Sequence, residues 1–462
     1  MPAARVALWG TFDVDNYGDH LFPRVAVHEL GRRLPGVVVD AYSPYGWLHP
    51  TGLDDGRAAA PLGPWTPERA RQLAAAHHLV VVGGGELIHL HDPLLAAVYE
   101  TSIDELRRMA PSRFFVEGLG PELEADCPVV WHGVGVPWAP GAEEAERLKG
   151  ALAGRPYVTV RDRHSAQRLA EAGVDRPIEV VPDSALLIDR ILPPGSLRAR
   201  LDGIRAEGHY PGPARPALVV QGCDLLQPHL DAVVAAMERW RAARPVPPEV
   251  VVVETGRCRG DGPFADALER ALAPQKVWRL PVGAAVEDLA AAIAGGEVFL
   301  GSSLHGAITA LAYGRPWVLL NLIDDAKLDG FGDLTGLDHC VVHAAGEIPG
   351  ALDRAENGPV PPGLLADLQA RIDRHFDRLA ALAAEQAAAR PEVAADPSLD
   401  AYAVADHLAR LRAELDTVRA ELAETGRRAG EAERELTALQ ATRTFRLLAP
   451  ARELYGRLRR GL

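Results

Sequence analysis

The sequence lacks most of the features that assign a chain quickly. Its four cysteines, Cys127, Cys223, Cys258 and Cys340, lie far apart. No pair has C-x-x-C spacing, so neither a zinc knuckle nor a disulfide framework is indicated. No apolar run approaches the ~20 residues of a membrane span. Met1–Arg5 runs straight into Val6-Ala7-Leu8-Trp9-Gly10, which is too short for a signal h-region and has no cleavage pattern; a cytoplasmic chain is expected. Neither G-x-G-x-x-G nor a P-loop GK[ST] occurs, so the standard nucleotide fingerprints are missing. Lysine is scarce, and the formal charge over 462 residues is −14. That balance argues against duplex nucleic acid as the main partner, since its backbone needs clustered cations. The adjacent pair His77-His78 and the alternating pair His89-x-His91 have no obvious ligand partners. No metal and no cofactor are therefore expected.

What is present is ordinary in composition and informative in order. Apolar residues make up 48% and charged residues 24%, which suits a soluble globular chain with material for two or three cores. Short apolar runs alternate with helical patterns: Arg5–Trp9, Val37–Tyr42, Leu79–Val82, Arg113–Glu117, Val129–Gly133, Tyr157–Arg161 and Ile178–Val181 read as strands. After a Pro/Gly-rich stretch the rhythm restarts, with strands at Ala217–Gln221, Val250–Glu254, Val277–Leu280, Val298–Leu300 and Trp317–Asn321. Near-continuous Val/Leu strands followed by helices predict parallel sheets covered on both faces. The expected boundaries are a Rossmann-like domain over 1–190, a linker at 191–216, a second Rossmann-like domain over 217–385 and a hinge at 386–400. A coiled coil or amphipathic helix then covers 401–441, and a basic amphipathic tail 442–462.

Ligands of such sheets sit outside the carboxyl ends of the strands, so the turns there carry the candidate chemistry. The most telling turn is Gly301-Ser302-Ser303-Leu304-His305-Gly306-Ala307, where a strand becomes a helix at once. A helix N-terminus offers orphan N–H donors and a positive dipole end, which suits an anion. His305 either meets that anion or caps the turn. The first turn, through Asn16-Tyr17-Gly18-Asp19-His20, offers Asp19 as a base or as a helix cap. Gly83-Gly84-Gly85 permits close backbone approach or positive φ, and Gly133-Val134-Gly135 does likewise. In Arg161-Asp162-Arg163-His164-Ser165 the arginines either clamp a carboxylate or phosphate or pair with Asp162 or Asp183.

These turns in this order, together with Val181-Pro182-Asp183 and Ser303-Leu304-His305-Gly306-Ala307, resemble the polysaccharide pyruvyl transferase family over roughly Arg5 to Asp338. Lys327, Gly330 and Phe331 are similar to that family's following segment. The resemblance implies a GT-B-like pair of Rossmann-like parallel-sheet domains, here with a C-terminal helical or coiled-coil extension. It also implies transfer of a pyruvyl group from phosphoenolpyruvate to two hydroxyls of one sugar of a cell-surface glycan, forming a ketal and releasing phosphate. Arg161 and His305 would then be the donor-binding and catalytic pair, with Asp19 as a catalytic base. Arg163, Ser302, Ser303, Gly306, Gly83, Gly84 and Gly85 would line the donor, and Asn16 and Asp183 the acceptor. Two positions depart from the family pattern. His20 stands where a small or acidic residue is usual, and Ser303 stands where arginine commonly precedes Leu-His, which removes one cation. A sugar-nucleotide-dependent GT-B glycosyltransferase and a non-catalytic glycan-assembly protein are the alternatives.

Beyond Pro391, Leu408, Leu411, Leu415, Val418 and Leu422 form a heptad seam, which Gly426 and Gly430 weaken and Leu436 and Leu439 resume. It suits a homo-oligomeric coiled coil or a helix packed on the body. From Arg443 to Arg460 the chain carries six arginines and one acid, Glu453, interleaved with Phe445, Leu447, Leu448, Leu454, Tyr455 and Leu458. Such a segment can lie on an anionic surface, each arginine contributing about 1 kcal/mol. The expected location is the inner membrane face, near a lipid-linked acceptor. Full-length protein should cosediment with anionic vesicles at low salt and a chain ending at Ala441 should not; equal sedimentation of the two would assign the tail to packing or to a protein partner.

Overall fold

The computed structural model describes residues 3–46, 59–88, 92–358, 361–396 and 398–399. The heptad seam, the basic tail, His89 and His91 lie outside the described residues. The first sheet contains β1 (Arg5–Trp9), β2 (Val38–Ser43), β3 (Ala60–Pro61), β4 (Leu79–Gly83) and β5 (Val129–His132), in the order β3-β2-β1-β4-β5. A two-stranded parallel piece, β6 (Thr159–Val160) and β7 (Glu179–Val180), extends it through a bridge from Val134 to Val160. The second sheet contains β8 (Ala217–Val220), β9 (Glu249–Val252), β10 (Val277–Arg279), β11 (Val298–Gly301), β12 (Trp317–Leu320) and β13 (Val341–Val342). Its order is β10-β9-β8-β11-β12-β13. Both sheets are parallel throughout. This is the expected α/β class. The β1, β4, β5, β8 and β12 side chains are almost all buried, because helices cover both faces of each sheet.

One expected strand is a helix. Arg113–Glu117 belongs to the helix Pro111–Glu117. Pro111 sits at the first turn, where its missing N–H is harmless, and Arg113 pairs with Glu117 one turn on at 2.9 Å. Phe114, Phe115 and Val116 are three consecutive buried apolar residues, and a run that short reads equally as a buried strand or a helix segment.

The segments between and after the two sheets also differ from the expectation. The stretch read as a linker holds the helix Pro194–Ala206, whose Leu197, Leu201 and Ile204 are buried. Gly295 packs beside Leu201, so this helix lies against the helix Val286–Gly295 of the second half. The helix Leu364–Ala389 crosses back to the first half, where Leu368, Ile372, Phe376 and Leu379 join one core with Val6, Leu8 and Val81. Asp373 receives Arg33 at 2.7 Å and Arg190 at 2.8 Å. The stretch read as a hinge is tied down as well. Asp396 accepts the Tyr42 hydroxyl at 2.9 Å and pairs with Arg69 at 3.1 Å, and the Ala394 amide donates to the Ala75 carbonyl. The apolar face of a 26-residue helix needs a partner surface, and the first sheet supplies it.

A buried polar chain fixes that docking. His132 Nδ1 lies 2.6 Å from His375 Nε2, and His132 Nε2 lies 3.0 Å from the Ser184 hydroxyl. His375 Nδ1 in turn meets the Tyr157 hydroxyl, which donates to Glu179. Burial pushes His132 down to about 4 and His375 well below its ordinary value. Both rings are therefore neutral in the fold, whereas the unfolded chain takes up protons near pH 6.5. The unfolded state then binds more protons between those values, so this contribution to stability is complete above about pH 6.5 and is lost as pH falls toward 4. Asp13 and Asp261, which burial pushes up to about 7 and about 6, act in the opposite sense over an overlapping window. A paired comparison isolates the histidine. The stability advantage of the wild type over His132→Gln should shrink by on the order of 2–3 kcal/mol between about pH 7 and pH 4.5 in urea unfolding. A gap independent of pH would show that His132 is not buried neutral.

Candidate active site

The turn after β1 starts the site. Asn16 caps the helix Tyr17–Arg33, its Oδ1 accepting the amides of Gly18 at 3.0 Å and Asp19 at 3.4 Å. The helix therefore begins one turn before Leu21. Asp19, freed from capping, accepts the Thr11 hydroxyl at 2.7 Å. The same turn holds the second half. The Tyr17 amide donates to the Thr255 carbonyl at 2.7 Å, Asn16 bridges Gly256, and the Tyr17 and Thr309 hydroxyls lie 2.9 Å apart.

Across this junction, β11 ends in the helix Leu304–Ala312, capped by Ser303, whose hydroxyl accepts the Gly306 amide at 3.2 Å. The His305 side chain is only 14% exposed, and its Nε2 lies 3.5 Å from Asp183 Oδ2. Asp183 comes from the first half, where its Oδ1 caps Ala185. Burial alone would raise the Asp183 carboxyl, but His305, Arg161 and the Ala185 amide outweigh it and hold it below its ordinary value. Phe22 meets the His305 ring edge-on at 5.3 Å, and Gly18 lies so close that a methyl group there would overlap the ring. The imidazole, carried by the second half, is thus held by contacts from the first.

Beside it, Glu86 gathers three cations. Arg161 reaches it at 3.0 Å, Lys327 at 3.1 Å and Arg259 at 3.7 Å. Burial would raise this carboxyl, yet Lys327, Arg161 and Arg259 hold it well below the carboxylate range. Arg161 is 5% exposed and also meets Asp162 at 3.3 Å, while Lys327 also meets Asp325 at 2.6 Å. Asp19 lies in the same field, where burial pushes its carboxyl up against the pull of Thr11, His305 and Arg259. A histidine–carboxylate couple therefore stands next to a cationic cluster at the carboxyl ends of two parallel sheets, which is an arrangement for a small anion and proton transfer.

The family model for polysaccharide pyruvyl transferase matches residues 16–324. The chain belongs to the polysaccharide pyruvyl transferase family. It is accordingly a transferase, and the matched region runs from the Asn16 cap past His305. No curated protein sequence matches the chain. Among solved structures it is similar to UDP-GlcNAc 2-epimerase from Neisseria meningitidis bound to UDP-GlcNAc, at 10% identity and a TM-score of 0.47, covering 81% of this chain and 99% of that one. It is also similar to a UDP-N-acetylglucosamine 2-epimerase from Listeria monocytogenes, at 12% identity and a TM-score of 0.49, covering 85% and 98%. A third is alpha,alpha-trehalose 6-phosphate synthase from Burkholderia multivorans, at 13% identity and a TM-score of 0.42, covering 89% and 99%.

The family's motifs fall unevenly around the site in this pyruvyl transferase. His305, Asp183, Arg161 and Asp19 come together. Gly84 and Gly85 both take positive φ; a methyl group on Gly84 would overlap Phe22, and one on Gly85 would lie 3.3 Å from Asp19 Oδ1. Those glycines let the β4 turn pass under the site. Gly83 packs on its strand neighbour His132, a contact within the sheet, and Gly306 packs its helix on Phe299 of β11. Ser302 donates its amide to the Gln221 side chain at 3.0 Å, and Ser303 is the helix cap. Arg163 is exposed at the start of the helix Arg163–Glu171, near Arg371 rather than the cluster. His77 is bound to Asp40 and the Leu73 carbonyl, and His78 to the Arg5 amide and, through Nε2, the Arg390 carbonyl just beyond the helix Leu364–Ala389. Among the described residues no group of three His, Cys, Asp or Glu could hold a metal ion.

Three residues of the cluster escaped the sequence reading as site residues. Glu86 had a signal, since it directly follows the glycine triplet at the end of β4. Arg259 follows the carboxyl end of β9, but it shares that turn with Arg257, and nothing local separates them. Lys327 was visible only through its likeness to the family segment. Beside the Asn16 turn a cavity of about 710 Å³ opens, lined among others by Asp13, Tyr99, Glu254, Arg257, Cys258 and Arg279. Asp13 there accepts the Tyr45 amide at 2.8 Å and the Tyr99 hydroxyl at 3.0 Å.

The absence of a side chain at position 18 is a direct test of the His305 geometry. Gly18→Ala should displace the imidazole and lower turnover at least ~10-fold, a loss of about 1.4 kcal/mol in transition-state binding. Gly31→Ala, where the added carbon meets nothing within 4 Å, is the control. Equal activity of the two variants would remove His305 from the mechanism.

Proposed function

We propose that this transferase moves a pyruvyl group from phosphoenolpyruvate to two hydroxyls of one sugar in a cell-surface glycan. The observation that supports it most is the His305–Asp183 couple lying beside the Arg161–Lys327–Arg259 cluster. Phosphoenolpyruvate carries a carboxylate and a phosphate, and guanidinium groups bind both as forks. In the reaction a proton adds to C3 of the enol, and positive charge develops at C2. One sugar oxygen bonds to C2, the C2–O bond to phosphate breaks, and the second sugar oxygen completes the ketal. Of the two hydroxyl protons, one balances that gained by C3 and the other leaves with a base or with phosphate.

His305 is the general acid in this reading, oriented by the ionised Asp183. Asp19 is the base for an acceptor hydroxyl, because burial already favours its protonated form. Arg161 holds the donor, with the first turn of the His305 helix presenting its positive end. The acceptor sugar takes the cavity beside Asp13 and Tyr99, where a carboxyl and a phenol offer hydrogen bonds to hydroxyls. Among the described residues no helix is long and apolar enough to cross a membrane. We assign the reaction to the cytoplasm, with the arginine-rich tail meeting the inner membrane face where lipid-linked acceptors reside.

The test is phosphate release from phosphoenolpyruvate with a panel of lipid-linked and aryl glycosides. His305→Ala and Arg161→Ala should each lower kcat/KM by ~30- to ~5000-fold, as expected when a buried charge contact worth about 2–5 kcal/mol is lost. Near-normal rates in both variants would overturn the assignment, and so would turnover of a sugar nucleotide with none of phosphoenolpyruvate.

A further inference from the structure

We infer that Glu86 is a built-in competitor for the donor's phosphate. It fills the Arg161–Arg259–Lys327 site when no anion is bound, yields it to the donor, and retakes it as inorganic phosphate leaves. The donor part of this statement rests on the phosphoenolpyruvate reading; the phosphate part does not.

Three observations carry it. First, the cations converge on one carboxylate from both halves of the protein: Arg161 from the first, Arg259 and Lys327 from the second. A carboxylate so placed makes the same charge-assisted hydrogen bonds that a phosphate oxygen would make. Second, the two cations nearest Glu86 do not need it to hold them. Arg161 keeps Asp162 at 3.3 Å, and Lys327 keeps Asp325 at 2.6 Å. A glutamate that merely oriented them would be redundant. Third, the pairing is loosest where solvent reaches it. Arg259 stands 3.7 Å from Glu86 with half its side chain exposed, so an incoming anion meets an accessible cation first. A dianion added beside Glu86 and Asp183, both held ionised, would meet like charge on two sides. Its binding is favourable once Glu86 has moved out.

The competitor has a function in turnover. Three cations around a dianion would bind product phosphate as they bind the donor. An internal carboxylate that returns to them lowers the affinity for both and speeds release.

The experiment is calorimetric titration of inorganic phosphate into wild-type protein and Glu86→Gln. The variant should bind phosphate about tenfold more tightly, since it loses a like charge and keeps the shape. With phosphoenolpyruvate and acceptor it should show a lower KM, a lower kcat and stronger inhibition by phosphate. Arg259→Ala should weaken phosphate binding in both backgrounds. Glu86→Asp, whose shorter carboxylate cannot span the three cations, is the second variant and should shift affinity in the same direction by less. Unchanged or weaker phosphate binding in both Glu86 variants would overturn the inference and leave Glu86 as a scaffold. If Glu86→Gln binds phosphate more tightly while the wild type turns over no phosphoenolpyruvate, the competitor stands and the donor assignment falls. If phosphoenolpyruvate is turned over and Glu86→Gln binds phosphate more weakly, the reverse holds.

Discussion

A carboxylate buried between two α/β halves is tolerable only when cations reach it, and in this protein that constraint organises the junction. Glu29, fully buried, is surrounded by Arg32, Arg33 and Arg190. Glu86 is surrounded by Arg161, Arg259 and Lys327. A buried carboxylate stripped of its cations would be an uncompensated charge, at about 3–5 kcal/mol. The Glu29 group draws its cations from the first helix and from the region between the sheets, and Asp373 on the last helix shares two of them. The Glu86 group draws on both sheets. The first ties the scaffold together, and the second stands at the candidate site beside His305 and Asp183.

The sheets were readable from the sequence because their strands are continuous apolar runs ending in glycine or polar turns. Leu79–Gly83 and Val298–Gly301 are of that kind. Arg113–Glu117 was not readable, because three apolar residues between two charges are too short a run to separate helix from strand by period. The helix Pro194–Ala206 inside the stretch read as a linker was hidden for a different reason. Proline and glycine at its first turn look like loop residues, yet proline is also favoured where a helix begins. The docking of the helix Leu364–Ala389 was not readable, because it shows an apolar face but does not say which sheet will cover it. Only the tertiary contacts of Phe376 and His375 answer that.

The candidate site was legible where its residues sit on strand ends. His305, Arg161, Asp183 and Asp19 are all there, and the order of motifs named the family. The partners of those residues were less visible. That Asn16, not Asp19, caps the first helix depends on where the β1 turn meets Thr255. That Arg259 rather than Arg163 faces Glu86 depends on how two halves close on each other. Pairings set by long-range closure leave no trace in local spacing, whereas caps and glycines do.

The helix Leu364–Ala389 also bears on how the chain is made. Synthesis runs from the N-terminus, so the first sheet is complete in sequence once β7 has emerged. Its covering helix is almost two hundred residues further on. Until then the faces of Val6, Leu8 and Val81 lack the partner that Phe376 and Leu379 provide, and His132 lacks His375. The nascent first half is therefore an unfinished body that must stay unaggregated while the whole second half is translated. Its completion comes last, and with it the junction on which the site stands.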